Sequence, residues 1–312
     1  MNSVSYKGPI AKRVISDLRK QSKRKVVNLD QIRSAKIDAE DLQKTVLSSE
    51  DLADHDPLHG VYVYAQNMLS VFTEQLGELP ALMKLNNAYA DAQETYMPSG
   101  PPMSPLTASY FTCWGMFDLV AGVKKESFGS VSIDLCRALH VDRHLIHVFE
   151  LMQNSRMGFY VHEGTSEKFV LLREILTNNR IKAIAPAGYL GKQGEVWYAR
   201  ILPEQFPELG YGYSVVFTTP YVVTEEDNRG LSFASENKWL AYFERNLGKT
   251  GIKDQQAAYE RLLKYGLSRH YWNEYIFEGY VNHQHDMILL AGFPDIALSR
   301  PLSEESQRQR RR

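Results

Sequence analysis

Residues 157–223 read MGFYVHEGTSEKFVLLREILTNNRIKAIAPAGYLGKQGEVWYARILPEQFPELGYGYSVVFTTPYVV, and this stretch decides the fold. Five short runs within it, 159–162, 169–173, 181–184, 196–201 and 215–222, are rich in Val, Ile, Tyr and Phe. Branched and aromatic side chains of this kind suit a pleated, half-buried surface. Turn formers separate the runs: Glu163-Gly164-Thr165, Thr177-Asn178-Asn179, Pro186-Ala187-Gly188 and Gly191-Lys192-Gln193-Gly194. Five closely spaced strands are expected to close into a small barrel, because closure removes the unpaired edges of a short sheet. Along 196–201 the period of two puts Trp197, Ala199 and Ile201 on one face, which reads as core. Val196, Tyr198 and Arg200 fall on the other.

Outward from this module the period changes to that of helices. On the N-terminal side, Val61, Tyr64, Ala65, Met68, Leu69 and Phe72 recur at three- and four-residue spacing. Ser104-Pro105 is expected to start a helix carrying Phe111, Trp114 and Phe117. Asp142 is expected to cap another, whose apolar stripe is Leu145, Val148, Phe149 and Met152. On the C-terminal side the clusters are 239–243, 257–265 and 271–281, followed by the apolar run 287–291. The fold class expected is α+β: a helical N-terminal region, a five-stranded β-barrel-like module and a helical C-terminal region. The divisions are a basic extension at 1–37, a helical domain at 38–156, the barrel at 157–223, a helical region at 224–300 and a basic tail at 301–312.

The 312 residues hold 36 Lys+Arg and 37 Asp+Glu, a net charge of −1 that conceals a strong asymmetry. Residues 1–36 contain ten basic and two acidic side chains, net +8. Arg308, Arg310, Arg311 and Arg312 add +4, which leaves 37–307 at −13 of the total −1. Basic ends on an acidic body point to nucleic acid or another acidic partner, or to solvated tails. Cys113 and Cys136 are too few for a disulfide framework or an all-cysteine zinc site. No apolar run reaches the roughly 18 residues of a membrane span, and the first residues lack the apolar stretch of a secretory signal. The cytoplasm is the expected compartment, although Lys12–Lys25 also has the composition of a basic targeting segment.

Nine histidines are the most chemically loaded residues. His140, His144 and His147, followed by Glu150, would stack on one face of a continuous helix, as metal ligands do. The dipeptides His55-Asp56 and His285-Asp286, the second preceded by His283, have the form of metal-holding pairs in phosphohydrolases. Glu274 and Glu278 lie among aromatics, where a carboxylate pair could do acid–base work. No Gly-x-Ser-x-Gly elbow and no phosphate-binding loop is present. In the barrel, Phe159, Tyr160, Tyr189, Trp197, Tyr198, Phe217 and Tyr221 are interleaved with Lys168, Arg173, Arg180, Lys182, Lys192 and Arg200. Small barrels bind single strands with such mixtures, stacking bases on rings while cations follow the phosphates.

The leading expectation is a non-enzymatic binding or scaffold protein whose basic ends contact nucleic acid or an acidic partner, with the barrel as docking module. The nucleic-acid-binding residues would be Lys12, Arg13, Arg19, Lys20, Lys23, Arg24, Lys25, Tyr198 and Arg200. An alternative is a metal-dependent hydrolase drawing on His283, His285, Asp286, His144 and His147. A third is a pure protein-interaction module. None of the three calls for an organic cofactor.

Overall fold

The structure, a computed structural model, describes residues 8–22, 41, 44–77, 79–97, 104–227, 230–233, 235–267 and 272–296. Its helices before the barrel are α1 (Pro9–Ser22), α2 (Pro57–Leu76), α3 (Met83–Tyr96), α4 (Ala108–Cys113), α5 (Phe128–Ala138) and α6 (Arg143–Asn154). Strands β1 (Met157–Ser166), β2 (Phe169–Glu174), β3 (Arg180–Ile184), β4 (Val196–Leu202), β5 (Ser214–Val216), β6 (Tyr221–Asp227) and β7 (Gly230–Phe233) follow. After them come α7 (Glu236–Leu247), α8 (Gln255–Tyr265), α9 (Trp272–Gly279), β8 (Tyr280–His283) and β9 (Ile288–Leu290). The fold class is α+β, with helices on both sides of a closed five-stranded barrel. Two compact units interleave along the chain, one formed by Met1–Ala90 with Gly115–Asn154, the other by Asp91–Trp114 with Ser155–Arg312. Among the described residues no helix is long and apolar enough to cross a membrane.

The first unit is helical, and polar caps set where its helices begin. The backbone N–H groups of Ile10 and Ala11 donate to the two carboxylate oxygens of Glu126, at 3.0 and 2.9 Å. A carboxylate there satisfies donors that the first turn of α1 leaves open and meets the positive end of the helix dipole. Ala11, Val14 and Ile15 of α1 are buried, so this part of the basic extension is packed protein, with Lys12, Arg13, Arg19 and Lys20 facing outward. Removing the segment would therefore expose a core face as well as delete charge. Asp142 caps α6 as expected, its Oδ1 accepting from the N–H groups of His144 and Leu145. The stripe Val148, Phe149 and Met152 is buried.

The dipeptide His55-Asp56 has a structural role. Asp56 is the N-cap of α2 and accepts from Leu58 N at 3.1 Å. One turn along, His59 lies with its ring 5.2 Å from that of His55. Burial and the neighbouring His55 bring the His59 pKa from 6.5 down to about 4, with Asp56 opposing the shift. Because the unfolded chain then takes up this proton first, the contribution of neutral His59 is complete above pH 6.5. It is lost as pH falls from 6.5 towards 4. The urea midpoint of the native chain is expected to fall over that window, and that of His59→Gln to fall less. Equal pH slopes for the two proteins would show that His59 does not carry the effect.

In the second unit the barrel closes in the order β1-β2-β3-β5-β4, with β4 returning to β1 through an antiparallel ladder from Met157↔Arg200 to Val161↔Val196. All of its pairings are antiparallel except β3 with β5. The run 215–222, read as one strand, is a single track along β4 broken into β5 and β6. At the break Phe217 N donates to Arg200 O, and Arg200 N donates to the Thr218 hydroxyl at 2.9 Å. Pro220 follows, with no N–H to continue the ladder. β6 then extends the sheet beyond the barrel to β9 and β8, and pairs with β7.

Tyr160, Val170, Leu172, Ala183, Trp197, Ala199 and Val216 form the core cluster of the barrel; Trp197 and Ala199 are the face that alternation predicts, and Ile201, predicted with them, is only partly buried. The opposite face of β4 and of the first residues of β1 is buried as well. Phe159 packs 4.4 Å from Trp239 and 4.8 Å from Tyr198, and Phe243 of α7 stands edge-on to Tyr259 of α8 at 5.1 Å. Tyr221 donates to Pro105 O at 2.9 Å and accepts from Thr107 N at 3.2 Å. Thr107, three residues beyond the expected Ser104, is the N-cap of α4.

Candidate nucleic-acid interface

The helical cover on β1 and β4 decides which barrel residues are available to a ligand. Tyr198 and Arg200, the two barrel residues expected to contact nucleic acid, are 0% and 1% exposed. Tyr198 belongs to the aromatic cluster under α7, and Arg200 donates from Nη1 to the Ser155 hydroxyl at 3.1 Å. Both are packing groups. Phe159, Tyr160, Trp197, Phe217 and Tyr221 are likewise buried. Arg173 forms two bonds to Glu236, at 2.9 and 2.8 Å, and a third to Glu163. Arg180 is 3.2 Å from Glu163. The guanidinium groups of this face therefore serve ion pairs.

Tyr189 is half-buried and closes one mouth of the barrel with Glu195, Trp197 and His162. The Glu195 side chain, fully buried, accepts from the Tyr189 hydroxyl and from Trp197 Nε1, both at 2.8 Å. His162 Nε2 lies 2.8 Å from the Leu190 carbonyl, an acceptor, so the proton is assigned to Nε2. Burial lowers the His162 pKa, opposed by the Leu190 carbonyl and Glu195. This network fixes the 185–195 loop. Tyr189→Phe leaves a buried carboxylate oxygen without its donor, and a loss of about 1–3 kcal/mol in unfolding free energy is expected. An unchanged urea midpoint would show that the hydroxyl contributes nothing.

A different surface sets cations over two nearly buried rings, Phe169 and Tyr213, each 9% exposed, beside the more exposed Tyr211. The antiparallel register places Phe169 opposite Ile184 and Leu171 opposite Lys182, so the outward side chains of β2 and β3 form one face. Lys182 Nζ lies 4.1 Å from the centre of the Phe169 ring. Lys168, exposed in the β1–β2 turn, holds its Nζ 5.5 Å from Phe169 and 5.9 Å from Tyr213. The Phe169 and Tyr213 rings are 5.0 Å apart, and Tyr211 stands edge-on to Tyr213 at 6.0 Å. Glu204 shapes the β4–β5 loop, its two oxygens accepting from Tyr211 N at 2.8 Å and Gly212 N at 3.0 Å. Gly210 and Gly212 take φ values of +71° and +68°, where side-chain-bearing residues are disfavoured. The loop leaves Leu209 61% and Tyr211 41% exposed.

Lys168 and Lys182 were among the interleaved cations read from the sequence. Phe169, Tyr211 and Tyr213 were missed there, and the signal that could have found them is the turn spacing that puts Phe169 beside Lys168. Of the other expected nucleic-acid residues, Lys12, Arg13, Arg19 and Lys20 line the exposed side of α1, while Lys23, Arg24 and Lys25 lie outside the described residues.

The metal reading finds no centre. Among the described residues, no three His, Cys, Asp or Glu side chains are placed to hold a metal ion. His283 accepts from or donates to the Tyr280 hydroxyl at 3.0 Å, in the hairpin whose turn carries His285 and Asp286. His144 Nδ1 is 3.3 Å from Asp142, the residue capping its own helix, and both are exposed. His147 is one turn further along α6. Cys113 and Cys136 are buried free thiols, and burial pushes Cys136 up to about 11, far from a reactive thiolate. No protein-family model, curated protein or solved structure matches the chain.

Proposed function

We propose that the protein is a non-enzymatic binding module whose barrel docks single-stranded nucleic acid across β2, β3 and the β4–β5 loop. The observation that carries this reading is the stacking of Lys168 and Lys182 over the Phe169 and Tyr213 rings. Single strands need both elements at once: rings to receive the π-faces of bases, and mobile cations to pair with phosphates. Lysine stems are flexible enough to swing from ring to phosphate as a base arrives. By architectural analogy, barrels of five strands that bind oligonucleotides do so on the strand 2–strand 3 face and through the loop between strands 4 and 5. The acidic body of the chain disfavours binding elsewhere, which makes a local basic patch more selective.

Titration of a labelled single-stranded oligonucleotide with the full chain, at two salt concentrations, tests the reading. Binding that weakens with salt and tolerates changes of sequence is expected, with a duplex of the same length bound less well. Failure to bind at low salt would sink it. The exposed Leu209 and Tyr211 favour a second reading, docking of a protein partner on the same loop. That reading predicts an association with little salt dependence that Leu209→Asp abolishes.

A further inference from the structure

The first unit carries a cationic surface that the barrel reading does not use. Between α4 and α5 the chain makes a tight hairpin closed by the pair Ala121↔Glu126. Gly122 takes φ +73° and Lys125 φ +51°, so a lysine occupies a left-handed position that glycine or asparagine fills more readily. At the tip Val123 is 95% exposed, an aliphatic side chain held in water and followed by the exposed Lys124 and Lys125. The base of the hairpin is fixed to α1, because the Glu126 carboxylate receives the N–H groups of Ile10 and Ala11. A Cβ placed on Gly122 would lie 3.7 Å from the end of the Ile10 side chain. The next residues of α1 are the exposed cations Lys12 and Arg13. Glu126, next to Lys125 in the chain, is buried and accepts from the first turn of α1.

We propose that this surface, Val123, Lys124 and Lys125 with Lys12 and Arg13, docks the chain on an anionic phospholipid bilayer. The occupant follows from the order of its chemistry. A bilayer presents negative phosphates with an apolar layer directly beneath, which receives lysines at the headgroups and a protruding valine below them. Nucleic acid presents its phosphates outermost, with no apolar layer for Val123 to enter. The contact is peripheral, a few ångströms deep.

Sedimentation of the full chain with vesicles tests the proposal. Pelleting is expected with phosphatidylcholine mixed with phosphatidylserine and not with phosphatidylcholine alone, and salt should reverse it. Loss of one surface lysine costs about fivefold in partition, so Lys124→Glu with Lys125→Glu should cut it by at least about 25-fold. Val123→Asp should cut it by about tenfold. All three positions are exposed, and an unchanged urea midpoint will show that the variants fold. Absence of pelleting with phosphatidylserine, or partition that either variant leaves unchanged, overturns the proposal. So does loss of oligonucleotide binding in the double lysine variant without vesicle binding in the native chain, which would assign the hairpin to nucleic acid. A failure of the barrel reading leaves this result untouched, because neither set of variants includes a residue of the other surface.

Discussion

Reversing Lys168 and Lys182 together to glutamate is expected to lower single-strand affinity by about two orders of magnitude at low salt. Both ammonium groups are exposed and rest on rings, so the substitution changes charge without opening the core. A stronger requirement lies in the salt dependence. Each phosphate neutralised on a single strand adds about −0.7 to the slope of log affinity against log salt, so the double variant should be shallower by about 1.4. Tyr211→Ala, which removes the exposed ring of the patch, should weaken binding by the worth of one stacked base, about 1–3 kcal/mol, and leave the slope in place. These two signatures separate phosphate contact from stacking. If K168E/K182E binds with native affinity and native slope, the strand does not cross β2 and β3, and the barrel has another partner.

Glu174→Ala is expected to cost about 3–5 kcal/mol of stability, the largest loss from a single substitution proposed for this protein. Glu174 is 4% exposed and its carboxylate is fully engaged. One oxygen takes Arg156 Nη1 at 2.6 Å, the other the Thr177 hydroxyl at 2.6 Å. Arg156 also lies 4.9 Å above the Tyr259 ring and donates to Met157 O. Removing the carboxylate strands a guanidinium between a tyrosine ring and the barrel wall, with Glu260 at 3.9 Å as the remaining acid close to it. Much of the cost is that uncompensated charge, since an intact buried pair contributes little beyond its own desolvation. Glu174→Gln keeps one acceptor oxygen, which can still face Arg156, and should cost less. Urea unfolding of the three proteins decides the matter. A loss below about 1 kcal/mol for Glu174→Ala would show that solvent reaches Arg156 and that the pair is a surface one.

The same geometry explains which parts of the protein were legible in its amino-acid order. Strand runs between turn formers are local properties, so the barrel and two residues of its interior, Trp197 and Ala199, could be read from spacing alone. Asp142 likewise sits next to the helix it caps, within reach of any reading of neighbours. His55-Asp56, by contrast, has the same letters whether it holds a metal or opens a helix, and only the structure shows Asp56 as a cap.

Tyr198 and Arg200 mark where sequence stops and tertiary structure begins. A period of two divides a strand into two faces, but it does not say which of them meets water. For β4 neither does: the barrel interior takes one face, and on the other Tyr198 is covered by Phe159, Tyr110, Tyr221 and Phe293, the second and last of them some ninety positions away. That long-range burial turned an expected stacking surface into core. Lys168-Phe169, Lys182 and Tyr213, the group we propose for ligand contact, lie apart in sequence and converge only through strand register and the fold of the β4–β5 loop. Alternation and turns determined that a barrel would form. Which of its walls faces solvent was decided by what the helices had to bury.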